Sequence, residues 1–147
     1  MRFAGASVAA LAGLWLAASA HALGVRDGRL APCPDRPNCV ASDAADPARR
    51  VDPLVPAASP AAAWEALRAL LRSRPDVTVK VEEADYLRAE FRSAVFGFVD
   101  DVEFHVRRGS GVIAVRSASR AGYYDFGANR ARIEAVRGEL RARGAVR

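Results

Sequence analysis

The chain has 147 residues, about half of them apolar, and a formal net charge of +5 at pH 7. This length supports one hydrophobic core, so the composition predicts a single domain and excludes two independent ones. A basic protein favours anionic surfaces such as lipid head groups or nucleic acid. Acidic residues interrupt the basic ones along the whole chain, which argues against nucleic-acid binding. Contact with an anionic membrane surface is compatible with this charge.

Residues 1–22 predict a signal peptide or an N-terminal anchor. Arg2 precedes an uncharged apolar run from Phe3 to Ala18, and small residues at positions 18, 20 and 22 fit a cleavage pattern. An uncleaved anchor is the alternative, because the run approaches the roughly 18 residues that span a bilayer. Its many alanines and glycines favour cleavage. We therefore expect a periplasmic protein, with anchoring to the inner membrane as the alternative.

Residues 23–58 predict an irregular arm that is rich in proline, aspartate and alanine. Cys33 and Cys39 are the two cysteines of the chain and bracket a loop that contains prolines. In an exported protein such a pair predicts a structural disulfide, which contributes about 2 kcal/mol through chain entropy. A metal site lacks further ligands, and a redox pair lacks the usual two-residue spacing.

Residues 59–147 predict an α+β domain that forms one unit with the arm. Ser59 and Pro60 begin a helix, which should end before Pro75. Apolar and polar residues then alternate in four segments, at 77–82, 86–92, 102–107 and 112–117, with short turns between them. This pattern predicts a four-stranded antiparallel meander with one apolar face.

A last helix follows, with Asp125 as its cap. The residues that share its apolar face by helical spacing are Phe126, Asn129, Ile133, Val136 and Leu140. Both helices are expected to cover the apolar face of the sheet. The predicted fold is therefore a two-layer α+β sandwich, preceded by the disulfide-stapled arm.

Three segments, 33–40 (CPDRPNCV), 98–104 (FVDDVEF) and 116–130 (RSASRAGYYDFGANR), carry a family resemblance. Together, and in this order, they resemble the family called domain of unknown function 1499. The resemblance covers nearly all of the chain after residue 22. It implies an exported or membrane-associated bacterial protein, with relatives in plastids and no assigned activity. It supplies no mechanism.

The same segments supply the candidate site. Asp100 should point toward the apolar side of its strand, where a carboxylate needs a partner, while Asp101 points to the other side. Arg116, Arg120 and Arg130 are the expected partners of Asp100. Asn129 lies on the buried helix face and must find hydrogen bonds. We expect one cluster at one end of the sheet, either an ion-pair network or a site for a small anionic ligand. The candidate ligand-binding residues are Asp100, Asp101, Arg116, Ser117, Ser119, Arg120, Tyr123, Asp125, Asn129 and Arg130.

Support for catalysis is weak. His105 is the one histidine after residue 22, and a hydrolase acting on an anionic substrate would use it as the base for Ser117 or Ser119, or would use the carboxylates. Neither a nucleophile elbow nor a phosphate loop is present. A divalent cation is disfavoured by nearby arginines; its ligands would be Asp100, Asp101, Glu103 and Asp125.

The sequence therefore predicts no catalytic residue, no metal and no cofactor. It favours a non-catalytic binding or accessory module of the cell envelope that carries an Arg/Asp cluster. The expected partner is an unknown envelope protein or a small anionic ligand, with possible membrane-surface contact and no nucleic acid. The hydrolase and a structural partner of a membrane complex are the alternatives.

Overall fold

The computed structural model describes residues 22–147, so the predicted signal peptide or anchor lies outside the described residues except for Ala22. The elements in chain order are β1 (Val25–Arg26), β2 (Arg29–Leu30), β3 (Cys39–Ala41), α1 (Pro60–Ser73), β4 (Val77–Glu82), β5 (Tyr86–Arg92), β6 (Val99–Val106), β7 (Ile113–Ser119) and α2 (Ala128–Ala142). Helix, four strands and helix follow one another as predicted. Within this part of the chain, no helix is long and apolar enough to cross a bilayer.

The main sheet is antiparallel and has five strands in the order β3-β7-β6-β5-β4. The predicted four-stranded meander is confirmed, but the sheet has one strand more. Cys39–Ala41 was expected to be irregular because three residues are too few to show a period. This segment pairs with β7, from Cys39 opposite Ala118 to Ala41 opposite Arg116. It thereby satisfies backbone groups that an open edge would expose.

The arm contains a second departure from the irregular structure that was predicted for it. β1 and β2 form a small hairpin, with Val25 opposite Leu30. Leu30 is buried with Tyr86 and Ala114 on the face of the sheet that carries no helix. The β1–β2 hairpin thus covers part of the outer face of the two-layer sandwich.

The main core lies between the sheet and the two helices. The hydroxyl of Ser59 accepts the amide N–H of Ala62 at 3.1 Å and caps α1, which ends at Ser73, as expected before Pro75. Both helices bury their apolar stripes on one sheet face, which confirms the predicted α+β sandwich. The larger buried residues are Trp64, Leu67, Leu70, Leu71, Leu87, Phe91, Phe104, Ile113, Ile133 and Leu140.

Two local predictions are wrong. Alternation predicts that Val81 shares the apolar face with Val77 and Val79, but a bulge between Val79 and Val81 shifts the register. Val81 therefore packs with Leu30 and Tyr86 on the outer face. Phe126 was expected on the buried helix face but is 90 % exposed, because it precedes the helix and has a φ of 54°. The backbone cap of α2 is Gly127; the Asp125 carboxylate accepts the N–H groups of Gly127 and Asn129, both at 3.0 Å.

Three loops meet at one end of the sheet, which we call the loop end. They are the disulfide loop (33–38), the β5–β6 loop (93–98) and the β7–α2 loop (120–127). The side-chain amide of Asn38 donates to the carbonyl of Gly122 at 2.7 Å, and Arg120 N–H donates to the carbonyl of Val99 at 3.4 Å. The Cys33–Cys39 disulfide is confirmed and holds the first of these loops.

Candidate functional site

The predicted polar constellation is divided between the two faces of the sheet. Residues alternate along β6, so Asp100 faces the helices with Val102, while Asp101 and Glu103 face outward. Ser117 and Ser119 on β7 share the helix side, and Arg116 shares the outer side. The single cluster expected from the sequence is therefore corrected to two, because the sheet separates them.

On the helix side, Asn129 connects three parts of the chain. It is fully buried, and its side-chain N–H₂ donates to the carbonyl of Asn38 at 2.9 Å and to the hydroxyl of Ser119 at 2.8 Å. Its side-chain oxygen accepts from the hydroxyl of Ser117 at 2.6 Å. A buried polar group needs such partners, as predicted. Asn129 thereby fixes the disulfide loop and β7 to the first turn of α2.

The partner of Asp100 is Arg132 of α2, rather than any of the three arginines expected from the sequence. Arg132 also donates to the Asn129 oxygen at 2.8 Å and lies over the Phe91 ring, 5.5 Å from its centroid. The helical spacing of 129 and 132 places both on neighbouring positions of one turn. That spacing was the available signal for the missed arginine.

On the outer face, Asp101 lies between two arginines. Arg120 donates to both carboxylate oxygens, at 2.7 and 2.9 Å, and Arg88 donates at 3.1 Å. Burial opposes ionisation of Asp101, but the hydrogen bonds and charge of Arg120, followed by those of Arg88, hold its pKa below the usual value. Arg120 also donates to Glu90 at 2.6 Å. These arginines are already engaged with carboxylates of the protein.

Arg116 and Glu103 form a buried ion pair farther along the same face. Their exposures are 1 % and 0 %, and Arg116 Nη1 donates to Glu103 Oε2 at 2.8 Å. The other carboxylate oxygen accepts Tyr86 Oη–H at 2.8 Å and the amide of Gly24 at 2.6 Å. Burial, followed by the Glu103 charge, raises the pKa of the Tyr86 hydroxyl. The pair thus joins the sheet to the start of the described chain.

Arg130 belongs to neither cluster. Its guanidinium donates to the backbone carbonyls of Arg50 at 2.9 Å and Ala48 at 2.8 Å. Arg137, which the sequence did not single out, is buried and donates likewise to the carbonyls of Pro53 and Asp52. Both arginines fasten the arm to α2. A long arm without a regular period needs such attachments, but the pattern does not reveal which arginine supplies them.

A shallow cavity of about 290 Å³ lies between the disulfide loop and α2. Its lining includes Arg49, Tyr124, Asp125 and Arg130. Burial opposes ionisation of Asp125, but the N–H groups of Asn129 and Gly127 lower the pKa of its carboxyl below the usual value. A small anion here would have to compete with that carboxylate and with the carbonyls that Arg130 already binds.

The catalytic and metal arrangements weighed from the sequence do not form. His105 faces outward, next to Tyr86, whereas Ser117 and Ser119 face the helices, so neither serine can use it as a base. The carboxylates considered for a cation are likewise split between the faces. Within residues 22–147, no group of three or more acidic, histidine or cysteine side chains could hold a metal ion.

His105 lines a cavity of about 430 Å³ at the end of the sheet opposite the loop end. Burial, then the Arg107 charge, lowers the pKa of this histidine, so the neutral imidazole predominates near pH 7. Among the described residues its Nδ1 has no hydrogen-bond partner. Asp85, Arg108 and Ser110 line the same cavity.

The loop end carries an unusual set of exposed apolar side chains. Six of the eight large hydrophobic residues that are exposed in residues 22–147 lie on two of its loops. Phe96 and Phe98 contact each other with ring centroids 5.6 Å apart, and Tyr124 and Phe126 with centroids 4.9 Å apart. We call this set the apolar cap; it comprises Val95, Phe96, Phe98, Tyr123, Tyr124 and Phe126.

Comparison with known proteins connects these features to a family. The family described as "Protein of unknown function (DUF1499)" matches residues 29–140. The chain belongs to this family. The match spans the whole main sheet and α2 as far as Leu140, including both polar clusters and the apolar cap. DUF1499 membership confirms the resemblance seen in the sequence and assigns no activity. Comparison with curated proteins gives no match.

Proposed function

We propose that this DUF1499 protein is an exported, non-catalytic binding module of the cell envelope, which docks on its partner through the apolar cap. The observation that carries the proposal is the concentration of exposed aromatic side chains at the loop end. Large exposed apolar groups are costly in water, and their clustering is typical of interaction sites. The rest of the described surface has only Val25 and Val55 as comparable residues.

The engagement of the candidate arginines supports an architectural role for the polar clusters. Arg116, Arg120 and Arg130 each have partners within the chain, as the previous section describes. An anionic ligand would have to displace a carboxylate or a carbonyl at each of them. The clusters thus hold the loops in place, and the loops present the cap. A small anionic ligand between α2 and the disulfide loop remains a prediction.

The backbone at Phe126 gives a second argument for the cap. A φ of 54° places this bulky residue in the left-handed region, which costs about 1 kcal/mol or more for a side chain other than glycine. Glycine or asparagine would fit that conformation better, yet a phenylalanine with 90 % exposure stands there. Its ring packs edge-to-face on Tyr124, which is itself 56 % exposed, and the local backbone geometry does not favour a phenylalanine. A contact made outside the chain would account for it.

The test is co-sedimentation of the purified protein with washed envelope fragments. Phe126→Gly and Phe96→Ser should both lose most of the sedimented fraction. Phe126→Gly relieves the positive φ, so its free energy of unfolding should stay within about 1 kcal/mol of the original. The matched control is Val55→Ser, an exposed apolar residue away from the loop end, which should sediment as the original does. Equal sedimentation of all four proteins would contradict the proposal.

Export is proposed on the strength of the N-terminal sequence. The apolar run and the paired small residues support cleavage after Ala20 or Ala22. N-terminal sequencing of the protein from an envelope fraction should then begin at His21 or Leu23. A full-length membrane product would favour the anchor instead, and a full-length cytosolic product would overturn export. The Cys33–Cys39 disulfide agrees with an oxidising compartment.

A hydrolase remains the second candidate, and the His105 cavity is the observation that favours it. A neutral imidazole in this cavity could act as a base. The neighbouring Arg107 and Arg108 pair with Asp43 and Asp85, so an anionic substrate would have to compete with these carboxylates. An activity screen on anionic esters, with His105→Ala as the comparison, tests this candidate. Activity that disappears in the variant would support it. Absence of activity would remove it, and equal activity in both proteins would exclude His105 as its base.

A further inference from the structure

We infer that the surface on which the apolar cap docks is an anionic lipid bilayer. This inference rests on the proposed function, because it names the partner of the same surface. The cap consists of side chains that project from two loops; Val95 is 82 % exposed, Phe96 75 % and Phe126 90 %. Side chains that project this far can enter a soft, apolar phase. They need no matching groove, which a protein partner would have to provide.

The chemistry of the cap agrees with the layers of a bilayer surface. Phe96, Phe98 and Phe126 are wholly apolar rings that fit the hydrocarbon boundary. Tyr123 and Tyr124 are 68 % and 56 % exposed, and tyrosine favours the head-group layer because its ring is apolar and its hydroxyl is polar. An edge-to-face pair of Tyr124 and Phe126 places one ring of each kind together.

Exposed arginines accompany the aromatic loops. Arg92, at the end of β5, is exposed and donates to the carbonyl of Gly97 at 3.1 Å, which places its charge at the base of the β5–β6 loop. Arg36 and Asp35 are both exposed in the disulfide loop, which packs against the β7–α2 loop through Asn38 and Gly122, so this loop adds no net charge. Basic side chains close to an anionic surface strengthen binding, by roughly fivefold for each that reaches it. The net charge of +5 has the same sign.

The polar clusters give these loops a fixed base. Asn129 binds the carbonyl of Asn38, and Ser119 N–H donates to that same carbonyl at 3.0 Å. The backbone N–H of Asp125 donates to the carbonyl of Pro37 at 3.4 Å. The disulfide loop and the β7–α2 loop therefore share a framework, so Tyr123, Tyr124 and Phe126 can enter a bilayer with little ordering of the backbone. A prearranged surface binds more tightly because less conformational entropy is lost.

The test uses tryptophan as a reporter of contact with lipid. Phe126→Trp places the reporter in the cap, and Val55→Trp is the matched control away from the loop end. Trp15 is replaced by phenylalanine in both proteins, and native Trp64, which is buried in the core, gives a common background. Each full-length protein is mixed with protein-free vesicles that contain about one third anionic lipid and brominated acyl chains. Brominated chains quench only a tryptophan that enters the bilayer. With Trp15 replaced, residues 1–22 contribute no tryptophan emission, whether or not they remain attached.

We expect the emission of Phe126→Trp to shift to shorter wavelength and to be quenched, with Val55→Trp unchanged. Phe96→Ser in the Phe126→Trp background should raise the lipid concentration that gives half-maximal quenching about tenfold or more. With vesicles of zwitterionic lipid alone, half-maximal quenching of Phe126→Trp should require a higher lipid concentration. Equal quenching at positions 126 and 55, or none at either, would overturn the inference. If envelope fragments still retain the protein in that case, docking stands and the partner is an envelope protein.

Discussion

Replacement of each of the three candidate arginines, Arg116, Arg120 and Arg130, by alanine tests whether these residues are structural or bind a ligand. Arg116→Ala leaves the carboxylate of Glu103 buried at 0 % exposure, with Tyr86 and Gly24 as its remaining donors. Loss of one partner from a buried ion pair costs about 3–5 kcal/mol. This is a large part of the total stability expected for a domain of this size, which is about 5–15 kcal/mol.

The other two arginines should matter less, and their order follows from exposure. The Arg120 side chain is 39 % exposed, and Asp101 keeps Arg88 when it is removed, so we expect a loss of about 1 kcal/mol. Arg130 donates only to carbonyls near the surface, and its removal should cost less than about 1 kcal/mol. Arg141→Ala, at an exposed position in the last turn of α2, is the matched control.

Urea unfolding, followed by circular dichroism at pH 7, measures all four variants. The loss of unfolding free energy should be largest for Arg116→Ala, smaller for Arg120→Ala and smallest for Arg130→Ala. An Arg116→Ala protein that is destabilised by less than 1 kcal/mol would refute the structural assignment, since a ligand arginine is the kind that can be removed at little cost. The double variant Glu103→Leu with Arg116→Met should recover much of the loss, because it leaves no buried charge.

Three further outcomes are expected. Replacing Cys33 and Cys39 by serine should lower the unfolding free energy by about 2 kcal/mol, since it frees a short loop; unchanged urea midpoints would contradict this. Asn129→Ala should lower the unfolding free energy by about 2–4 kcal/mol, because it leaves several buried polar groups without partners. A loss within about 0.5 kcal/mol would show that the hydrogen bonds of Asn129 are dispensable. The pKa values of Asp101 and Asp125 are lowered in the folded protein, so the folded carboxylates hold protons more weakly than the unfolded chain does. Their contribution is present above about pH 4 and declines as the pH falls through the folded values; urea midpoints from pH 7 to pH 2 should show this decline, and Asp101→Asn should flatten it.

The sequence predicted the fold well where the pattern was long. The four alternating segments and the two apolar stripes each extend over two or more turns or strand repeats, and they gave the correct elements. Cys39–Ala41 and the β1–β2 hairpin are too short to show any period, so pairing with distant residues decides their structure. Phe126 was misplaced because its spacing fits the apolar face of α2. In the structure Phe126 has a left-handed backbone and the helix begins two residues after it, at Ala128.

The candidate site was predicted in composition but not in arrangement. Strand alternation correctly placed Asp100 on the helix side and Asp101 on the other. The error was to bring both faces into one cluster, since partners were assigned by sequence proximity instead of by face. Arg132 and Arg88 complete the two clusters. Both could have been predicted from the face on which each side chain lies and from the register of the strands. Of the apolar cap, only Tyr123 was among the candidate ligand-binding residues, because exposure of an aromatic residue in a loop cannot be read from spacing.

The central claim is that the loop end is where this protein meets the envelope. Photo-crosslinking in living cells tests it most directly, with a photoreactive amino acid placed at position 126 and, in a second strain, at exposed position 141 of α2. The account predicts adducts with envelope lipid from position 126 and few from position 141. Protein adducts from position 126 would keep the docking surface and change its partner. Equal labelling from both positions, or adducts only from position 141, would contradict the account.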